Sequence, residues 1–201
     1  MSTRVFWVLL VVVVCLTACT AKQPSDIDNV CAIFGEHRKW YKESQRAADR
    51  WGTSIPIIMA FIHQESSFKA KAKPPRTKVL WVLPGPRPAS AKGYSQAIDG
   101  TWDQYKRSTG RFAADRNDFG DAADFVGWYI DQSASKSQIK KTDAYNLYLA
   151  YHEGQGGFQK GSYQSKPWLM AVAKKVAARS EQYTGQLKGC ERRFKRRFFF
   201  F

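Results

Sequence analysis

Glu65 closes the run Ile57-Ile58-Met59-Ala60-Phe61-Ile62-His63-Gln64-Glu65. Wound as a helix, this segment puts Glu65 on the face that carries Ile58, Phe61 and Ile62, at spacings of seven, four and three. Apolar surroundings disfavour the charged form of a carboxyl, so its pKa is expected to rise. A carboxylic acid that keeps its proton near neutral pH can act as the general acid of glycosidic bond cleavage. The other reading of Glu65 is a helix-end side chain turned to solvent. His37, His63 and His152 form no ligand-spaced cluster, so neither a metal nor another cofactor is expected. His63 lies two residues from Glu65 on another helical face and reads as structural.

The elements that must hold this group are mostly helical. A helix over 36–51 is stopped by Gly52. Thr53 or Ser54 can cap the next, which runs over 55–67 with Pro56 in its first turn. The stretch 69–92 breaks the pattern with prolines and basic residues. Within it Val79-Leu80-Trp81-Val82-Leu83 could form a short strand or β-hairpin in an inserted loop. Helical patterns return over 101–108, 118–131 and 143–151, the last ended by Gly154, Gly156 and Gly157. Pro167 starts a final helix through Trp168, Val172, Val176 and Tyr183. The expected fold is mainly α, one domain over 28–190 with a real core. Seven Trp, nine Tyr and thirteen Phe are many for it, and some are expected to line a groove.

Arg4 followed by an apolar run over 5–16 fits a secretory signal, 1–18, and falls short of the roughly 20 residues that a membrane-spanning helix needs. The ending Leu16-Thr17-Ala18-Cys19 resembles a bacterial lipobox, which makes Cys19 the lipidated first residue and 19–27 a tether. Thr20 stands where aspartate marks inner-membrane retention in many such lipoproteins, so the expected address is the outer membrane facing the periplasm. In that oxidising compartment a Cys31–Cys190 bridge is expected, with two unpaired thiols as the alternative. The net charge of +15 asks for an anionic partner. Export argues against nucleic acid and favours wall peptides or lipopolysaccharide phosphates. The tail over 191–201 mixes Arg, Lys and Phe, which suits an anionic membrane surface or is without a role.

Three stretches stand in order: Glu65-Ser66-Ser67-Phe68, then Gly93-Tyr94-Ser95-Gln96 with Thr101 soon after, then Ala150-Tyr151-His152-Glu153-Gly154-Gln155-Gly156. Together they resemble the SLT-type lytic transglycosylases, which share the lysozyme fold. The family's E-S-x-F is complete here. Of G-L-M-Q, Gly93 and Gln96 match while Tyr94 and Ser95 replace Leu and Met. Of A-Y-N-A-G-x-G, His152 and Glu153 replace Asn and Ala. The resemblance covers about 51–183.

It implies that Glu65 protonates the glycosidic oxygen between N-acetylmuramic acid and N-acetylglucosamine, then acts as base while the C6 hydroxyl closes on C1 to leave a 1,6-anhydro end. It implies further that the Tyr151 hydroxyl meets the catalytic carboxyl and that Gln96 bonds sugar. Tyr151 could instead be a core aromatic, and Gln96 could cap the following helix. Ser66 is placed at the substrate site by its motif, although its hydroxyl is better suited to holding local backbone. His152 keeps asparagine's hydrogen bond, tunes Glu65 near neutral pH, or reports a changed activity. The segment between Glu65 and Gly93 is about twice the family's usual length and is basic, either a lid for anionic stem peptides or a solvated loop. Two rival functions remain. A hydrolysing muramidase would need a second carboxylate, for which Asp99 or Asp103 could be asked. A non-catalytic wall-binding lipoprotein would need none.

Overall fold

The computed structural model describes residues 21–75, 78–79, 83–84 and 89–195. The expected signal, Cys19, residues 76–77, 80–82 and 85–88 of the insert and the end of the tail lie outside them. Asn29 opens α1 (Val30–Glu36), its side chain accepting from the Cys31 and Ala32 amides. Helix α1 was not expected from the sequence, and the helix expected over 36–51 begins two residues later. His37 leaves helical geometry, and α2 (Arg38–Trp51) starts after it. In α3 (Ile55–Ser66), Ile55 through Ile62 are all buried, because an apolar helix must be surrounded by other elements.

Two-residue strands β1 (Lys78–Val79) and β2 (Leu83–Pro84) pair antiparallel inside the insert. Then follow α4 (Asp99–Thr109), α5 (Phe119–Ser137), α6 (Ala144–Gln159), a 3-10 turn (Ser162–Ser165), α7 (Pro167–Cys190) and the short α8 (Arg192–Lys195). Asp118 and Asp143 cap α5 and α6 through amides of the first turns. The fold is mainly α, as expected.

Helix α3 is enclosed by α2, α5 and α7, with Ile58, Met59, Phe61 and Ile62 fully buried. The Trp40 ring stacks on Phe119 with centroids 4.1 Å apart, joining α2 to α5. Cys31 and Cys190 are disulfide-bonded, with Cα atoms 6.0 Å apart, so α1 is locked to the end of α7. Gln186 reinforces the lock by accepting from the Val30 amide at 2.9 Å.

Residues on both sides of 28–190 pack against the domain. Before residue 28, Pro24 is buried and the Gln23 side chain donates to the Ser67 carbonyl at 2.8 Å. The tail begins inside the domain, because the Phe194 ring packs on Phe34 and Tyr41 at 5.7 and 5.4 Å.

Candidate active site

The turn after α3 is held in an unusual backbone. Ser67 and Phe68 both have left-handed φ, 50° and 60°. That costs of order 1–2 kcal/mol for each residue other than glycine. Complete burial of the Phe68 ring and the Gln23 bond to Ser67 offset it. The result fixes Glu65 in the last turn of α3. Ser66 is buried and its hydroxyl donates to the Ile62 carbonyl at 3.1 Å. It holds the helix end and is not among the residues that line the cavity described next.

Glu65 faces a cavity of about 320 Å³ shared with Gln96, Ile98, Tyr129, Tyr151 and His152. Burial pushes its carboxyl up from the ordinary 4.5 to about 7, and the hydrogen bond from Tyr148 opposes that rise. Glu65 is thus balanced between protonated and ionised near neutral pH.

The hydroxyl that reaches it belongs to Tyr148, donating to Oε1 at 2.8 Å. Tyr151, expected in that role, donates instead to the Ser95 carbonyl at 2.6 Å. The two tyrosines are three residues apart on α6, hence on one face, with near-parallel rings 6.4 Å apart. Both rings lie edge-on against Phe61 of α3, at 5.3 Å. Tyr148 is one turn earlier and so reaches the carboxyl. Tyr151 reaches the second motif and ties α6 to it while still lining the cavity. Tyr148 is the residue that the motif comparison missed. Its spacing from Tyr151 was the available signal.

The second motif is built around Gly93, at φ 78°. A Cβ there would lie 2.1 Å from the Arg116 carbonyl oxygen, so only glycine fits. The Tyr94 amide donates to that carbonyl at 3.1 Å. Arg116 is itself buried, donating to the Ala97 carbonyl at 2.8 Å and pairing with Asp99. Gln96, also at left-handed φ, donates its amide to the carbonyls of Ala72 and Gly93 at 3.0 and 2.8 Å. It lines the cavity, but its NH2 group serves the loop. Ile98, not Gln96, occupies the cap of α4.

In the third motif α6 is interrupted at Gly154, whose φ of 72° and ψ of 157° are glycine's own region. Just before the break, Glu153 is almost wholly buried and accepts from Lys166 at 2.8 and 2.9 Å and from the Ser162 hydroxyl. Those bonds, the Lys166 one first, hold its carboxyl down at about 2. His152 lies at 3.1 Å from the same carboxylate through Nδ1, and its ring meets the edge of Trp168 at 5.2 Å. Asp99 is paired with Arg116 and Asp103 with Lys106 at 3.1 Å; neither lines the cavity. His63 sits beside Asp28 at 3.3 Å, away from the carboxyl's cavity. Among the described residues no His, Cys, Asp and Glu cluster is suited to a metal.

A half-protonated carboxyl at an open aromatic cavity can give a proton to an acetal oxygen and take one back. The family model described as "Transglycosylase SLT domain" matches residues 7–190. No curated protein and no solved structure matches the chain.

Proposed function

The chain belongs to the transglycosylase SLT domain family, and we propose that it is an active lytic transglycosylase of peptidoglycan that leaves 1,6-anhydro-N-acetylmuramic acid ends. Protonated Glu65 gives its proton to the glycosidic oxygen as the bond from C1 of N-acetylmuramic acid breaks. N-acetylglucosamine leaves with a free hydroxyl. The C6 oxygen of the muramic residue then bonds to C1, and its proton returns to Glu65. The acid is regenerated, no water is consumed, and one carboxyl serves both steps.

The observation that carries this reading is Glu65 raised to about 7 with a single hydroxyl donor, Tyr148, beside it. At that value each protonation state is populated near neutral pH, as a group that is acid and then base requires. The muramidase alternative finds less support. It needs a second, available carboxylate to position water, whereas the other carboxylate of the cavity, Glu153, is engaged by Lys166 and Ser162.

The cellular setting belongs to the same proposal. Cys19 carries lipid and anchors the domain to the outer membrane facing the periplasm, on the strength of the Leu-Thr-Ala-Cys ending and Thr20. The glycan strand is the partner, with nucleic acid excluded by that address. Digestion of purified sacculi followed by mass spectrometry tests the chemistry. Anhydro ends that vanish with Glu65→Gln are expected. Reducing ends would establish hydrolysis, and undigested sacculi would leave a wall-binding protein.

A further inference from the structure

Ile98, Phe112 and Trp168 are the large apolar side chains most exposed among the described residues, and two of them are linked to the cavity of Glu65. Ile98 is 47% exposed and lines the cavity of Glu65. Trp168 is 56% exposed and touches His152, which lines the same cavity. An indole this open offers apolar area that the apolar face of a ligand can cover. Trp168 is also restrained. Pro167 precedes it in the first turn of α7, the buried Leu169 anchors that turn, and the His152 ring stands at 78° to the indole. His152 is in turn held by Glu153, whose carboxylate Lys166 fixes from the residue before Pro167. Lys166, Trp168, His152 and Glu153 thus form one clamp between the end of α6 and the start of α7.

We propose that Trp168 is a sugar-stacking platform that extends the glycan cleft beyond the cavity of Glu65. Its occupant is a hexosamine ring of the strand being cleaved, so the inference rests on the reading of that cavity as a glycan site. Continuity with the cavity through His152 is what selects this occupant. A β-linked hexosamine presents a face of axial C–H bonds, apolar and flat enough to cover an indole, with its hydroxyls at the rim. Glu153 and Lys166 are positioning residues in this account, because they act through His152 and the turn that carries Trp168. The replacement of the family's Asn and Ala by His152 and Glu153 has a purpose in this clamp.

Binding can be tested apart from cleavage. Peptide-stripped glycan strands are titrated into the Glu65→Gln protein, with and without Trp168→Ala, and into Glu65→Gln carrying Trp168→Phe. Loss of the ring is expected to weaken binding about tenfold, the effect of one aromatic contact. Phenylalanine is expected to recover most of it, which a merely structural role would not require. In the active background, Trp168→Ala is expected to raise KM for long strands more than for a tetrasaccharide. Equal binding by the alanine and tryptophan forms overturns the platform and leaves the cleavage mechanism standing. Absence of strand binding by Glu65→Gln overturns it too. Binding that depends on Trp168 in a protein that never cleaves sacculi supports the platform and overturns the catalytic reading instead. Thermal unfolding of each variant separates these outcomes from misfolding, with Trp168→Phe as the form that retains the turn.

Discussion

Replacing Glu65 by glutamine should stabilise the protein, and more so as pH rises. The carboxyl's folded value of about 7 lies above its ordinary 4.5. The native state therefore holds the proton more tightly than the unfolded chain does. The favourable contribution is complete below pH 4.5 and is lost progressively as pH climbs through 7. A displacement from 4.5 to about 7, at 1.36 kcal/mol for each pH unit, amounts to about 3 kcal/mol of destabilisation by pH 8. At pH 5 the same linkage gives less than about 1 kcal/mol. Glutamine keeps the shape, can still accept from the Tyr148 hydroxyl, and does not ionise. Urea unfolding of both forms at pH 5 and pH 8 should show the variant's advantage growing by about 2 to 3 kcal/mol between them. The glutamine form should leave sacculi intact throughout. An advantage independent of pH would mean that Glu65 ionises freely in the folded protein, and the argument for a poised acid would fail.

Four further variants have outcomes set by the geometry. Tyr148→Phe should lower the rate by roughly 10- to 1000-fold, the range of one positioned donor. Because the lost bond opposed the rise of the Glu65 pKa, the alkaline limb of the pH–rate curve should also move upward. Tyr151→Phe should act differently, leaving the Ser95 carbonyl short of a donor at a cost of about 1–3 kcal/mol in stability. A larger rate loss in Tyr151→Phe than in Tyr148→Phe would reverse these assignments. Gly93→Ala should destabilise by about 4 kcal/mol or more, since left-handed φ and collision with the Arg116 backbone both oppose the methyl group; a urea midpoint like the parent's would contradict the packing described. Cys31→Ala with Cys190→Ala should remove about 4 to 5 kcal/mol, given their sequence separation of 159. Equal urea midpoints of the oxidised parent and the double variant would refute it.

Glu65 stood out in the sequence as the carboxyl that closes an apolar run, but whether it faced solvent or a cavity was visible only in the structure. The helical pattern gave most elements, since periodicity survives wherever a helix buries a face. Helix α1 was not legible: seven residues carry too little pattern, and what holds it is Cys190 and Gln186, far along the chain. The exchange of roles between Tyr148 and Tyr151 had a similar origin. Spacing places both hydroxyls on one face, but which one reaches the carboxyl depends on how far α6 slides along α3. A motif records identity and not that displacement. Glu153 looked like a departure at the site because its partner Lys166 lies beyond a 3-10 turn that no periodicity announces. Gln96 carried the right position, yet the loop it must brace claims its donors.

The Cys31–Cys190 link has a consequence for the order in which the chain can fold. Helix α1 and the residues before it are seated by groups made late in synthesis: Gln186 against Val30, Tyr183 against the Ile27 carbonyl, and the sulfur of Cys190. A chain delivered N-terminus first, from the ribosome or through an export channel, has nothing to dock α1 against until α7 has emerged. Contacts so distant along the chain form late, because the loop between them must first be closed. The bridge therefore closes on a nearly complete domain. Any chain released short of residue 190 would leave Cys31 as a free thiol, a ready chemical marker of unfinished protein.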